Sequence, residues 1–181
     1  MHETTLRLLN DVLYEIRHCA DCVAQNAAIL ERFTECQRDA TLRRSHFFGG
    51  RFENIYITTE AIPALAPILD QARRFAAEII GLAPTRLRLG FWFNAMNTGD
   101  VTLPHAHDDD DEILSAAYYL QVPARSGDLL VHEGTHSVRI APQPGMFVFF
   151  APQRLHEVTR NDSDQMRLSL GINIGLADVA D

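Results

Sequence analysis

No stretch of this chain approaches the roughly 18 uninterrupted apolar residues of a membrane-spanning helix. The opening Met1-His2-Glu3-Thr4-Thr5 also lacks the charged and apolar regions of a signal peptide. A cytoplasmic protein without a membrane partner is the expectation. The 16 Lys and Arg residues form no extended block, and the net charge is −8 with a pI near 5.4. That balance argues against a nucleic-acid backbone as partner and for solubility. Cysteine is scarce: Cys19, Cys22 and Cys36 are an odd number, all near the N-terminus, and suggest no disulfide framework. Cys19-Ala20-Asp21-Cys22 has C-x-x-C spacing beside His18, but a closed zinc site needs four ligands. No second pair follows, and the surrounding periodicity puts these cysteines inside a helix. Repeats, low-complexity linkers and breaks in composition are absent as well. The 181 residues, 46% hydrophobic, therefore read as one domain with a full core.

Two kinds of periodicity divide the chain. Over residues 6–30, Leu9, Val12, Leu13, Ile16, Cys19, Ala20, Val23, Ala27 and Leu30 recur at three- and four-residue spacing, which predicts an amphipathic helix. A second helix is predicted from Pro63 to Ile80, with Gly81 as its stop. Arg43 to Thr59, aromatic and Gly-containing, reads as strand and loop. After Pro84 the period becomes 2, in short runs near 86–96, 101–107, 113–122, 128–132, 136–140, 145–150, 155–160 and 166–174. Eight such runs suit a compact barrel or two-sheet jelly roll. The expected architecture is α+β, a helical part over about 1–82 packed on one outer face of a β-barrel core over about 86–175.

Candidate chemistry concentrates in Pro104-His105-Ala106-His107-Asp108-Asp109-Asp110-Asp111-Glu112, with His156 far along the chain at the start of another run. Imidazoles from two remote stretches meeting around one ion would leave coordination positions open. His105, His107 and Asp109 share strand parity, so all three could face inward. A rise of about 3.3 Å per residue separates His105 from Asp109 by about 13 Å, too far to share an ion unless the strand turns. His107 belongs to either neighbouring pair. With His156, the pair His107 and Asp109 makes a 2-His-1-carboxylate set and is preferred; His105 with His107 stays open.

Alternation also sorts the later strands. Ser115, Ala117, Tyr119 and Gln121 oppose Leu114, Ala116, Tyr118 and Leu120; Arg167, Ser169, Gly171 and Asn173 oppose Met166, Leu168, Leu170 and Ile172. The apolar faces would pack against helices. An inward Arg167 costs several kcal/mol unless it meets an anion. Its planar fork matches a carboxylate, with Ser169 and Tyr119 as hydroxyl donors to the same group. The bland alternative is a structural ion pair to one of the 24 acidic residues.

From about Phe91 to Ile174 the chain resembles the Fe(II)/2-oxoglutarate-dependent dioxygenases, in particular a small bacterial and phage group. The resemblance is carried by Trp92-Phe93-Asn94, Gly99, His105-Ala106-His107, Ser115 to Leu120 as S-x-x-Y-Y-L, Ser126-Gly127, Pro142 to Gly145, His156, Arg167-Leu168-Ser169 and Asn173. It implies a double-stranded β-helix with N-terminal helices. It also implies iron on His156 and the H-x-D/H pair, drawn from His105, His107 and Asp109. Arg167, Ser169 and Tyr119 would hold the distal carboxylate of the cosubstrate 2-oxoglutarate, with Asn94 lining the pocket. O2 and a protein or small-molecule substrate would complete the reaction, which attacks an unactivated C–H bond. The same barrel offers a cupin-type reading, because Gly99, His105, His107 and Glu112 satisfy G-x5-H-x-H-x4-E; the metal would then sit on His105, His107, Glu112 and His156. A third class is a barrel that binds without catalysis. Base rate alone allows a homodimer.

Overall fold

A computed structural model of the chain describes residues 7–9, 12–20, 22–107 and 111–177. Asp109, one of the expected ligands, lies outside the described residues. The first part of the chain is mixed rather than helical. It contains β1 (Arg7–Leu9), β2 (Val12–His18), α1 (Val23–Cys36), β3 (Arg44–Phe48), β4 (Arg51–Ile55) and α2 (Leu65–Ile80). The second part is all strand: β5 (Leu87–Met96), β6 (Thr102–His105), β7 (Glu112–Gln121), β8 (Leu129–Glu133), β9 (His136–Ile140), β10 (Met146–Phe150), β11 (His156–Val158) and β12 (Arg167–Leu176). These eight elements coincide with the eight period-2 runs. α2 also matches expectation, and Gly81 caps it in the left-handed conformation at φ 77°.

The helix expected over residues 6–30 is the main correction. Residues 12–18 form a strand, and the helix is displaced to 23–36. The cause is β10, whose five residues are all buried. Its backbone groups need partners on both edges. β7 supplies one edge and β2 the other, with Val148 opposite Ala117 and Ile16. Along β2, Tyr14 and Ile16 turn to an apolar cluster, while Arg17 Nε and Glu15 pair at 2.8 Å on the other side. Cys19 and Cys22 are thus not inside a helix. Cys19 follows β2, its amide donating to the Gly145 carbonyl at 2.8 Å, and Cys22 caps α1. None of the three cysteines forms a disulfide.

Among the described residues the strands form two antiparallel sheets, one of eight strands in the order β1-β2-β10-β7-β12-β5-β4-β3 and one of four in the order β6-β11-β8-β9. The large sheet is covered by the helices on one face. Phe93, Leu114, Tyr118, Leu168, Leu170 and Ile172 meet Ile29 and Phe33 of α1 and Ile68, Ala72 and Ala76 of α2 in one core. Asn26 ties α1 to β7, accepting from the Tyr118 hydroxyl at 2.8 Å and donating to the Leu120 carbonyl at 3.3 Å. The other face of β5, β7, β10 and β12 turns toward the small sheet, and the space between holds the site. Among the described residues no helix is long and apolar enough to cross a membrane.

Candidate active site and metal centre

Strand alternation places the site. On the inward face of the large sheet, the ladders β7–β12–β5 line residues up in transverse rows. Tyr119, Ser169 and Asn94 form one, Ala117, Gly171 and Trp92 the next, and Ser115, Asn173 and Gly90 the third. Arg167, two residues before Ser169, enters the same cavity at its far end. Opposite them, the small sheet contributes His105 at the end of β6 and His156 at the start of β11. These two are direct cross-strand partners, so they meet within one sheet. His107 follows β6 and is fixed by its amide donating to the Pro152 carbonyl at 3.0 Å.

The three imidazoles converge. Each offers a ring nitrogen, and these atoms all lie within 4.8 Å of one another. Ligand nitrogens about 2 Å from a shared ion sit a little over 3 Å apart, a separation that small ring rotations reach. Two of the rings are already oriented: Nδ1 of His105 lies 2.9 Å from the Leu103 carbonyl, and Nδ1 of His156 lies 2.9 Å from the Arg154 carbonyl. Such a bond fixes the proton on Nδ1 and leaves Nε2 as a lone-pair donor. His156 is 7% exposed, stacks on His107 and meets the Phe150 ring at a tilt. Burial, with the neighbouring His105, pushes its pKa down to about 3, so it stays neutral and ready to ligate at physiological pH. This donor set suits Fe, Zn, Cu or Ni. Glu112 is not in the cluster; its carboxylate accepts from the Asn173 amide. The four-ligand cupin set is therefore not assembled.

Arg167, 1% exposed, opens β12 at the other end of the cavity. One terminal nitrogen donates to the carbonyls of Gly127 at 3.0 Å and Ser126 at 3.4 Å. Among the described residues it forms no ion pair, and Nε has no hydrogen-bond partner. Asp128, whose charge reaches it, is bonded to Arg139 at 2.9 Å. The structural ion pair considered for Arg167 is therefore not formed. Burial pushes the Arg167 pKa down, and the Tyr119 ring, 5.2 Å from the guanidinium carbon, accompanies it. Burial pushes Tyr119 up, partly offset by Arg167, so its hydroxyl remains a donor. Apart from its interaction with Arg167, that hydroxyl has no hydrogen-bond partner among the described residues; two rows away, Ser115 Oγ and Asn173 Oδ1 are likewise buried without one. Ser169 lines the wall beside Tyr119, and Asn94 Oδ1 accepts from Arg51 at 3.4 Å. A guanidinium with a free Nε and a buried tyrosine hydroxyl beside it fit a bound carboxylate.

Thr102, Ser115, Phe150 and Asn173 also line the cavity and had no expected role. Ser115 and Asn173 share the parity of Tyr119 and Arg167, so alternation alone would have found them. Gly171 shapes the wall. A methyl there would lie 2.4 Å from the indole of Trp92, which rests against the bare strand and approaches His107 with ring centroids 5.7 Å apart.

No family model matches the chain, and no curated protein matches it either. Solved structures do. The Pseudomonas putida prolyl-4-hydroxylase is 19% identical, with a TM-score of 0.69 over 90% of this chain and 92% of that one. EvdO2 from Micromonospora carbonacea var. aurantiaca, solved with 2-oxoglutarate, is 16% identical, with a TM-score of 0.67 over 93% and 89%. The epimerase SnoN, solved with Fe3+, α-ketoglutarate and nogalamycin RO, is 15% identical, with a TM-score of 0.68 over 90% and 78%. At such identities the likeness is one of fold. The chain has the double-stranded β-helix fold found in the Fe(II)/2-oxoglutarate-dependent oxygenases.

Proposed function

We propose that the chain is an Fe(II)- and 2-oxoglutarate-dependent dioxygenase that hydroxylates an unactivated C–H bond of a protein side chain, an amino acid or a small metabolite. The observation that carries this reading is a single cavity with three convergent imidazoles at one end and, at the other, a buried guanidinium without a carboxylate partner among the described residues. A metal site alone would not need Arg167, and an anion site alone would not need the imidazoles. A dicarboxylate with a metal-chelating end answers both.

In this reading His107 and His156 are two of the iron ligands, and Asp109 or His105 is the third. Arg167 takes the distal carboxylate of 2-oxoglutarate, with the Tyr119 hydroxyl and Ser169 as further donors and Asn94 beside them. When bound, the metal and cosubstrate supply O2 activation coupled to decarboxylation of 2-oxoglutarate to succinate. The residues of this chain hold the ligand nitrogens deprotonated, orient the cosubstrate and exclude water from the guanidinium end. Two of the neighbours of like fold hold 2-oxoglutarate, one of them together with iron. One neighbour is a hydroxylase and another an epimerase, so hydroxylation is the finer part of the proposal.

Anaerobic titration with Fe(II) and 2-oxoglutarate tests it. A weak visible metal-to-ligand charge-transfer band is expected, and iron that binds without producing the band would overturn the reading. Iron affinities of Asp109→Ala and His105→Ala decide the third ligand; Glu112→Ala should leave iron affinity unchanged.

A further inference from the structure

A second recess lies on the other side of the histidines. Its walls are the hairpin β3–β4, the indole of Trp92 and the segment Leu103–His107. His105, His107 and Trp92 are common to both spaces, so an ion on the imidazoles is reachable from either. The recess encloses about 260 Å³, against about 70 Å³ for the cavity that holds Arg167. Phe48, Trp92, Leu103 and Pro104 give it an apolar lining, and its polar groups are Asn54, His46, the Glu53 carboxylate and the imidazoles of His105 and His107.

Glu53 is 6% exposed, accepts from the Thr102 hydroxyl, and shares its Arg51 partner with other acceptors. The terminal nitrogen of Arg51 that reaches it, at 3.2 Å, also donates to Thr102 Oγ1 at 2.9 Å and to the Val101 carbonyl at 3.0 Å. That nitrogen carries two hydrogens for three acceptors, and Glu53 has the longest of the three contacts. The other terminal nitrogen serves Asn94 and the Ala95 carbonyl, and Nε faces Asp100 at 3.8 Å. One guanidinium thus stands between two carboxylates. With both carboxylates ionised, Arg51, Glu53 and Asp100 together carry a net negative charge, which His46 and His105 face only as imidazoles, and a buried charge is costly unless it is met.

We propose that this recess is the primary-substrate site, and that it selects a small organic cation, an apolar body of single-ring size bearing a protonated amine that pairs with Glu53. The proposal rests on the oxygenase reading for the word substrate, and on the recess alone for the ligand class. The amine supplies the hydrogens that Arg51 lacks, and the apolar body lies along Trp92 and Leu103 against the ligand rings. Glu53 is a specificity-determining residue, and its hairpin forms the outer wall.

Trp92 is the only tryptophan of the chain and lines the recess, so its fluorescence reports occupancy. The protein is titrated anaerobically with 2-phenylethylamine, 2-phenylethanol and 3-phenylpropionate, with and without Fe(II) and 2-oxoglutarate. Saturable binding is expected for the amine, with the alcohol and the carboxylate weaker by about tenfold or more, the worth of one charge-assisted hydrogen bond. Glu53→Gln, which keeps an oxygen toward Arg51, should remove that preference while leaving the visible iron band unchanged. Leu103→Lys, at a position 52% exposed and indifferent to folding, sets a competing ammonium in the recess and should suppress amine binding. Equal amine binding by wild type and both variants, or preference for the carboxylate, would overturn the proposal. A missing iron band with amine selectivity intact would remove the oxygenase reading and leave the cation site standing.

Discussion

At their most buried points the two faces of the large sheet are equally dry and chemically opposite. Phe93 and Leu170 on the helix side, and Tyr119 and Arg167 on the cavity side, are all 0–1% exposed. A single step along a strand, from Phe93 to Asn94 or from Leu168 to Ser169, crosses from one to the other. Burial does not distinguish these residues; satisfaction does. On the helix side apolar groups meet apolar groups, and the one polar intrusion, Asn26, is bonded to Tyr118 and Leu120. On the cavity side Arg167 Nε and Ser115 Oγ lack partners among the described residues, and the Tyr119 hydroxyl has none beyond Arg167. A fold that completes one face and leaves its neighbour incomplete has reserved the second for something else.

If that contrast holds, substitutions on the two faces should fail differently. The largest effect is expected from His156→Ala, which should abolish Fe(II) binding and turnover while the thermal transition moves little; retained iron binding would break the comparison. Phe93→Ala should remove about 3–5 kcal/mol of stability in a denaturant melt by opening a cavity beside Phe33, yet leave the iron affinity of the folded molecules unchanged. Arg167→Ala should weaken 2-oxoglutarate binding about a hundredfold, with iron affinity spared; a calorimetric titration separates the two.

The most gradual effect, smallest over any single pH unit, concerns acid. Because His156 is held near 3 in the fold and lies near 6.5 unfolded, the unfolded chain takes up a proton that the folded one refuses as pH falls below 6.5. The metal-free protein should lose up to about 1 kcal/mol per pH unit through this group between pH 6.5 and 3. His156→Gln should flatten that part of the pH-stability curve, and an unchanged slope would show that the imidazole is better solvated than its burial implies.

Alternation carried most of what could be read in advance. The eight period-2 runs, the opposed faces of β7 and β12 and the inward Arg167 follow from side chains that reverse at every residue. The start of the chain did not yield, because Leu9, Val12, Leu13 and Ile16 fit a helical spacing as well as a strand. What decides between them is the open edge of β10, more than a hundred residues away. The distal pairing of His105 with His156 was legible only as a meeting of remote stretches; the ladder that makes them neighbours is a tertiary fact. Arg51 and Glu53 went unremarked, although two opposite charges at alternate positions of one strand point to the same face and signal either solvent or a buried network. Asp109 lies outside the described residues, and the ligand assays above address it directly.

Gly171 gives the indole of Trp92 its resting place, and that indole is the partition between the two recesses. The width of the doorway at the metal is therefore set from behind, by a side chain that β12 does not have. An alanine there would act as a wedge, displacing the ring and resizing both chambers at once. Pocket size in this barrel is adjustable from a wall position that offers the ion no ligand.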